Sequence, residues 1–258
     1  MSNAPVPLAE TESTPVLTTT MAHRGLSAKA PENTLSAVRA AHAAGARWIE
    51  LDVQLLGDGT PIIWHDSGVR RCSNGRGKLR DLDIVRAKQL DVGNWFASAF
   101  AGERMATLDE MLALVNELNL SLNLELKVNP GRNARELVDV VLPKLMETLP
   151  AQRLILSSFS DAALDTLRAR EPDPEKLHLA ILYKKPPRNW AEAAARLSAY
   201  SLHVDWRRLN ARTALAIAAS PYKLLCYTVN DSRVFQRLRA LGVDSAISDD
   251  PGRLLSSL

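Results

Sequence analysis

What this sequence has little of already narrows its class. It holds two cysteines, Cys72 and Cys226, in separate segments with no metal-like spacing. Such sparse usage argues against a disulfide framework or a thiolate metal site, and it fits unpaired thiols in a reducing compartment such as the cytoplasm. No apolar run approaches the roughly 20 residues that span a bilayer, so stable membrane insertion is not expected. The opening MSNAPVPLAETESTPVLTTT has neither the positive n-region nor the apolar h-region of a secretory signal. Its Pro, Ser, Thr and Glu read instead as a flexible leader over residues 1–18. Excess charge is also scarce. A formal +3 over 258 residues argues against a dedicated nucleic-acid surface, while leaving room for a local basic site that holds a phosphate.

What is present begins with Arg47 to Asp66, RWIELDVQLLGDGTPIIWHD. An apolar strand carries Glu50 and Asp52 two residues apart, hence on one face. Gly57-Asp58-Gly59-Thr60 then turns the chain into a second apolar run, Pro61 to Trp64, ending at His65. So short a connection allows only an antiparallel hairpin, since a parallel crossover needs about a dozen residues. A turn around Asp58-Gly59 sets Glu50 opposite residues 65–67, bringing two acids and a histidine together.

Around this hairpin the chain alternates. A short strand, Leu17 to Ala22, leads into His23-Arg24-Gly25, and a helix begins at Asn33 or Thr34 and stops at Gly45. From Thr107 onward, helices are expected at 107–118, 133–148, 160–170, 189–198, 210–219, 231–241 and 251–257. Strands are expected at 121–127, 153–157, 177–182, 201–204, 223–229 and 244–247. Continuously apolar runs such as RLILSS and KLLCYTV suit parallel strands covered on both faces. Nine apolar runs occur, and one is the return arm of the hairpin. Eight remain, and βα alternation with eight strands in this length predicts a (β/α)8 TIM barrel over residues 19–258. A doubly wound sheet would need a glycine-rich nucleotide loop after its first strand, which HRGLSAKAPEN is not. Residues 67–106 break the alternation, with Gly-rich turns, one helix near 82–90 and the aromatics Trp95, Phe96 and Phe100. They are expected to form a small insertion subdomain, with the aromatics in its core.

Barrel chemistry gathers at the C-terminal ends of strands. Those ends supply His23 and Arg24; Glu50 and Asp52; Glu125 and Lys127, again two apart; Ser157, Ser158 and Phe159; His203 and Asp205; Asn230; and Asp249. Glu50, Asp52 and Glu125 are oxygen donors suited to a hard divalent cation, Mg2+ or Ca2+. His23 and His65 suit general acid–base work, and Arg24 and Lys127 offer positive charge to a phosphate. His42, His178 and His203 fall elsewhere and carry no expected chemistry.

His23-Arg24-Gly25, the PENT of Pro31 to Thr34, then ELDV, DG, HD, Asn74-Gly75-x-Gly77, TLDE, LELK and YTVN resemble, in this order, the glycerophosphodiester phosphodiesterase family. The resemblance runs from about Met21 to Pro251. It implies a barrel with an insertion after the HD motif, His23 and His65 as the catalytic pair, and Glu50, Asp52 and Glu125 as ligands of one divalent cation. It further implies Arg24 and Lys127 at the phosphate, and Asn33 and Glu32 ordering the first loop. The implied reaction is metal-dependent hydrolysis of a small glycerophosphodiester to sn-glycerol 3-phosphate and an alcohol. Leu56, Tyr227, Ser245 and Ser248 depart from the family's usual threonine, tryptophan, glycine and threonine, which bears on pocket shape. Two alternatives share parts of this pattern: a related barrel acting on lysophospholipids, which requires an apolar chain-binding groove, and a silent barrel that only binds phosphate esters.

Overall fold

The computed structural model describes residues 13–255. Strand β1 (Thr20–His23) has parallel neighbours on both sides, and this closes the sheet. On one side it pairs with β2 (Trp48–Leu55), His23 standing beside Glu50. On the other it pairs with β9 (Ser245–Ser248), Met21 beside Ile247. Between them follow β4 (Ser121–Leu126), β5 (Leu154–Ser158), β6 (His178–Tyr183), β7 (Ser201–Asp205) and β8 (Lys223–Tyr227). Every adjacent pair around this ring is parallel. The ring of eight is the expected TIM barrel, and β3 (Pro61–Ile63) is the ninth, antiparallel run.

Helices α1 (Leu35–Ala43), α3 (Leu108–Glu117), α4 (Ala134–Thr148), α5 (Asp161–Arg170), α6 (Trp190–Arg196), α7 (Ala211–Ala218) and α8 (Ser232–Ala240) separate successive strands, and α9 (Pro251–Leu255) follows β9. Most begin on a polar side chain that accepts an otherwise orphaned backbone N–H. Thr34 caps α1 in this way. Thr107 and Glu110 form a reciprocal capping box on α3. The expected elements are all there, with ends shifted by a few residues where caps and short 3-10 turns take over. One apolar cluster between strands and helices includes Ile49, Leu51, Leu122, Leu124, Leu156 and Leu179, all essentially inaccessible to water. Inside the barrel, Met21, Trp48, Ile155, Tyr200, Leu225 and Ile247 form another.

Residues 1–12 of the expected leader lie outside the described residues. Its last part, 13–18, is not free but lies on the barrel floor. The Val16 carbonyl accepts from Trp48 Nε1 at 2.9 Å, and the Pro15 carbonyl accepts from the Tyr200 hydroxyl at 2.8 Å. Buried Trp and Tyr each need a partner for their polar atom, and the chain entering the barrel supplies both.

From the end of β2 to the start of α3 the chain builds a separate small cluster from Leu56, Ile62, Trp64, Val69, Cys72, Leu79, Ala87, Val92 and Met105, with α2 (Ile84–Gln89) on it. The expectation for the aromatics is corrected here. Trp95 is 41% exposed and lies outside this cluster. It stacks edge-to-face on Phe96, and Phe96 on Phe100, near the surface. The core is filled by smaller aliphatic side chains and Trp64, which leaves the three rings outside.

Gly25 shows how tightly the loop after β1 is held. Its φ is +79°, and a Cβ there would meet the Ala37 backbone carbon of α1 at 2.6 Å. Gly45 also has a left-handed φ, +84°, but open space around it. Gly25→Ala is therefore expected to lower unfolding free energy by roughly 2 kcal/mol or more, strain plus overpacking, and Gly45→Ala by only about 1 kcal/mol. Urea unfolding of both variants checks this; equal losses would show that the contact with α1 does not matter.

Candidate active site

Strand register assembles the site. Asp52 lies beside Glu125 in the β2–β4 pairing, and Glu50 lies beside His23 in the β1–β2 pairing. Alternate residues share a face, so Glu50, Asp52 and Glu125 all turn into the barrel mouth. One oxygen from each lies within 4.8 Å of the others, and the side chains are almost wholly buried.

β1 ends at His23, but β2 continues, and β3 takes over the vacated edge. Val53 pairs with Ile63, and Trp64 N donates to the Asp52 carbonyl at 2.9 Å. The β2–β3 pairing ends there, and it is His23 of β1 that stands beside Glu50 on this edge, so the hairpin brings its arm back near Asp52 and not directly opposite Glu50. His65 emerges where its imidazole is influenced by the Asp52 carboxylate, Arg24 and Lys127. All seven expected residues thus share one rim.

The electrostatics follow from three like charges in a poorly solvated place. Burial, then Asp52 and Glu125, push the Glu50 carboxyl well above its ordinary range. Burial and Asp52 push Glu125 up to about 7. Asp52 goes the other way, down to about 2. Burial opposes its ionisation, but Lys127, Arg24, His65 and a hydrogen bond from Asn33 outweigh it. Lys127 Nζ lies 3.0 Å from Glu125 and 3.5 Å from Asp52; Arg24 Nε lies 3.3 Å from Asp52. The donor set is all-oxygen, crowded and under-neutralised, which is the chemistry of a hard-cation site.

Each histidine is held by a carboxylate of its own. His23 Nδ1 lies 2.6 Å from Asp249 Oδ1, and His65 Nδ1 lies 2.6 Å from Asp66 Oδ1. An ionised carboxylate only accepts, so both Nδ1 atoms carry the proton and both Nε2 atoms are left for chemistry. His23 Nε2 stands 3.9 Å from Glu50 Oε2. Asp249 is further fixed by Asn230 Nδ2 at 2.6 Å and the Ser27 hydroxyl at 3.0 Å; burial raises its pKa, but the hydrogen bond and charge of His23 together with the bonds from Asn230 and Ser27 outweigh it and bring it down to about 2. Burial lowers the His65 pKa, so its imidazole is the neutral form near neutral pH.

Several supporting residues were not singled out from sequence. Asp249 was visible only as a polar strand end, Asn230 as a strand end and the last residue of YTVN, and Asp66 only as part of the HD motif. Arg71 gave no signal at all. It joins Glu32 through both oxygens and also binds Asp66, tying the β1 loop to the segment after β3. Gln54 Nε2 donates to the carbonyls of Trp64, His65 and Asp66 and pins the turn that carries His65. The expected loop-ordering residues do appear in the site. Asn33 Nδ2 donates to Asp52 Oδ2 at 2.9 Å, and Arg24 Nη1 donates to Glu32 at 2.7 Å. Both Arg24 and Asn33 sit at positive φ, +54° and +59°, strain of about 1 kcal/mol or more each. The Arg24 N–H, turned inward by that conformation, donates to Glu50 at 3.2 Å.

His178 and His203 stay apart from this rim. His178 contacts the Ser13 carbonyl on the barrel floor. His203 lies deep among the strands beside Ser201, and burial drives its pKa down to about 3.

The chain is also similar to known proteins. The sequence pattern of the glycerophosphoryl diester phosphodiesterase family matches residues 23–253. A glycerophosphodiester phosphodiesterase of Caldanaerobacter subterraneus subsp. tengcongensis is 33% identical over 243 residues, 93% of this chain and 97% of that protein. The structure of an Oleispira antarctica phosphodiesterase in complex with its product sn-glycerol-3-phosphate superposes with a TM-score of 0.89 at 32% identity, covering 93% of this chain and 96% of that one. A Thermotoga maritima glycerophosphodiester phosphodiesterase gives 0.74 at 27% identity, covering 94% and 98%. The fold, the acidic rim and these likenesses agree, and the chain belongs to the glycerophosphoryl diester phosphodiesterase family.

Proposed function

We propose that this glycerophosphodiester phosphodiesterase works with one divalent cation, Mg2+ or Ca2+, held by Glu50, Asp52 and Glu125, and with His23 and His65 as its proton-transfer pair. The products are sn-glycerol 3-phosphate and an alcohol, as the product bound to the Oleispira relative supports. The observation that carries the reading is three buried carboxylates within 4.8 Å, flanked by two imidazoles whose Nδ1 atoms are both tied to carboxylates.

Arg24 and Lys127 bind the phosphate, Arg24 through its guanidinium and Lys127 as a point charge. A bound divalent cation supplies Lewis acidity toward a non-bridging phosphate oxygen. One imidazole takes the proton of the attacking oxygen at Nε2, and the other delivers a proton to the leaving alcohol from Nε2. Asp66 and Asp249 keep each ring in the tautomer that allows this. The cavity beside His65 is lined by Asp66, Ser67, Arg70, Arg71, Lys127 and Asn129. That polar wall favours small diesters over lysophospholipids, which need an apolar groove. Among the described residues no helix is long and apolar enough to cross a membrane. Cys72 and Cys226 are unpaired and buried, which supports a reducing compartment, the cytoplasm.

Incubation with glycerophosphocholine and Mg2+ or Ca2+ is expected to release sn-glycerol 3-phosphate, and excess EDTA to stop it. His23→Ala and His65→Ala are each expected to lower kcat by about a hundredfold or more. Full activity of either variant, or indifference to EDTA, would sink the proposal.

The raised carboxyls also make a stability prediction for metal-free protein. Glu125 titrates at about 7 instead of 4.5, so over that interval the folded chain holds more protons than the unfolded one and stability falls as pH rises. The His65 pKa is lowered from 6.5, and below that value it acts in the opposite sense. The clean window therefore lies above about pH 6.5, where Glu125 completes its ionisation. The melting temperature of EDTA-treated protein is expected to drop between about pH 6.5 and pH 8.5, and added cation to raise it more at the upper pH. An equal rise at both would count against the carboxylate site.

A further inference from the structure

The cavity beside His65 holds more positive charge than a plain glycerophosphodiester can use. It measures about 700 Å³ and includes Arg70, Arg71 and Lys127. A smaller cavity of about 180 Å³ shares its Ser67 and Asn129 and adds Lys78, Arg80 and Arg132. One hairpin forms the common wall. Val69 N donates to the Gly77 carbonyl at 3.2 Å, Leu79 N donates to the Ser67 carbonyl at 3.0 Å, and Gly68 bridges Lys78.

Most of these cations are already engaged. Arg71 is bound to Glu32 and Asp66, and Lys127 to Asp52 and Glu125. Arg132 donates to the carbonyls of Leu55 and Leu56, and Arg80 lies 3.8 Å from Asp81. Asp66, the acid of this wall, is taken up by His65 and Arg71. The side chains of Arg70 and Lys78 have no hydrogen bond or ion pair among the described residues, and both residues are exposed. Arg70 therefore faces the cavity that His65 and Lys127 line, and Lys78 faces the smaller cavity that shares Ser67 and Asn129 with it.

We propose that this wall reads the alcohol end of the diester and selects alcohols that carry a second phosphate, with Arg70 and Lys78 as its partners. The inference rests on the phosphodiesterase reading above. Glycerol is uncharged, and the scissile phosphate is served by Arg24 and Lys127. An anion that reaches Arg70 and Lys78 therefore belongs to the other alcohol. Arg70 can grip a phosphate through two N–H groups, and Lys78 adds a point charge from the neighbouring strand of the hairpin. A cationic alcohol such as choline meets like charge there instead.

The test compares two diesters, glycerophosphoglycerol and 1,3-bis(glycerophospho)glycerol, the second carrying one more glycerophosphate group and with it the second phosphate. After correction for two equivalent scissile bonds, kcat/KM is expected to be roughly tenfold higher for the second, and calorimetric binding tighter by a similar factor. In the Arg70→Gln/Lys78→Gln variant both ratios are expected to approach one. A Lys185→Gln/Arg188→Gln variant, in the distinct groove lined with Trp190, is expected to keep them. Equal handling of the two diesters by the unaltered enzyme, or equal loss of preference in both variants, overturns the assignment while the hydrolase reading stands. Turnover of neither diester overturns the hydrolase reading and leaves the calorimetric ratio to decide the wall.

Discussion

Three carboxylates crowded within 4.8 Å at the mouth of an apolar barrel dictate what surrounds them. Isolated there, like charges at such distances repel strongly, because little water screens them. The protein answers with Arg24 and Lys127, with the Asn33 amide, and with a backbone N–H turned inward at a left-handed residue. Even so, two of the three acids are held above their ordinary range. The remaining negative potential is the site's resource. It is the potential of a site able to bind a divalent cation, and it requires a rigid scaffold to keep the acids from swinging apart.

That scaffold was largely legible in the sequence, and the reason is periodicity. Glu50 with Asp52, and Glu125 with Lys127, sit at the two-residue spacing of a strand, so their common face follows from the pleat alone. Eight apolar runs in alternation implied a closed ring, and the ring put strand ends on one rim. His65 could be placed because the hairpin is local and its turn residues are informative. What escaped detection depends on contacts between distant segments. Arg71 is an unremarkable exposed cation until Glu32 is brought against it across 39 residues. Gln54 looks like a polar residue on a strand until its amide is seen holding three consecutive carbonyls.

The aromatics after Gly93 depart from expectation for a different reason. Ring size suggests burial, but a cluster as small as that of Trp64, Leu79 and Met105 has a fixed volume to fill. Once Trp64 occupies it, Trp95, Phe96 and Phe100 must pack on one another at the surface. Composition reports how much apolar surface a segment owns. It does not report which side chains win the limited interior.

The pairing of β1 with β9 has a consequence for the life history of the enzyme. His23 and Asp249 are 226 residues apart in the chain and 2.6 Å apart in the fold. A ribosome delivers the imidazole near the beginning of synthesis and its carboxylate partner near the end. The acidic half of the rim, from β2 and β4, can form while later strands are still being made, but the His23 side stays unfinished until β9 arrives to seal the ring. Loop closure over such a span is slow relative to local contacts. The part of the rim around His23 is therefore the last to be completed in this chain. An incompletely synthesised copy can carry all three acids, Glu50, Asp52 and Glu125, and still lack the Asp249 that holds His23.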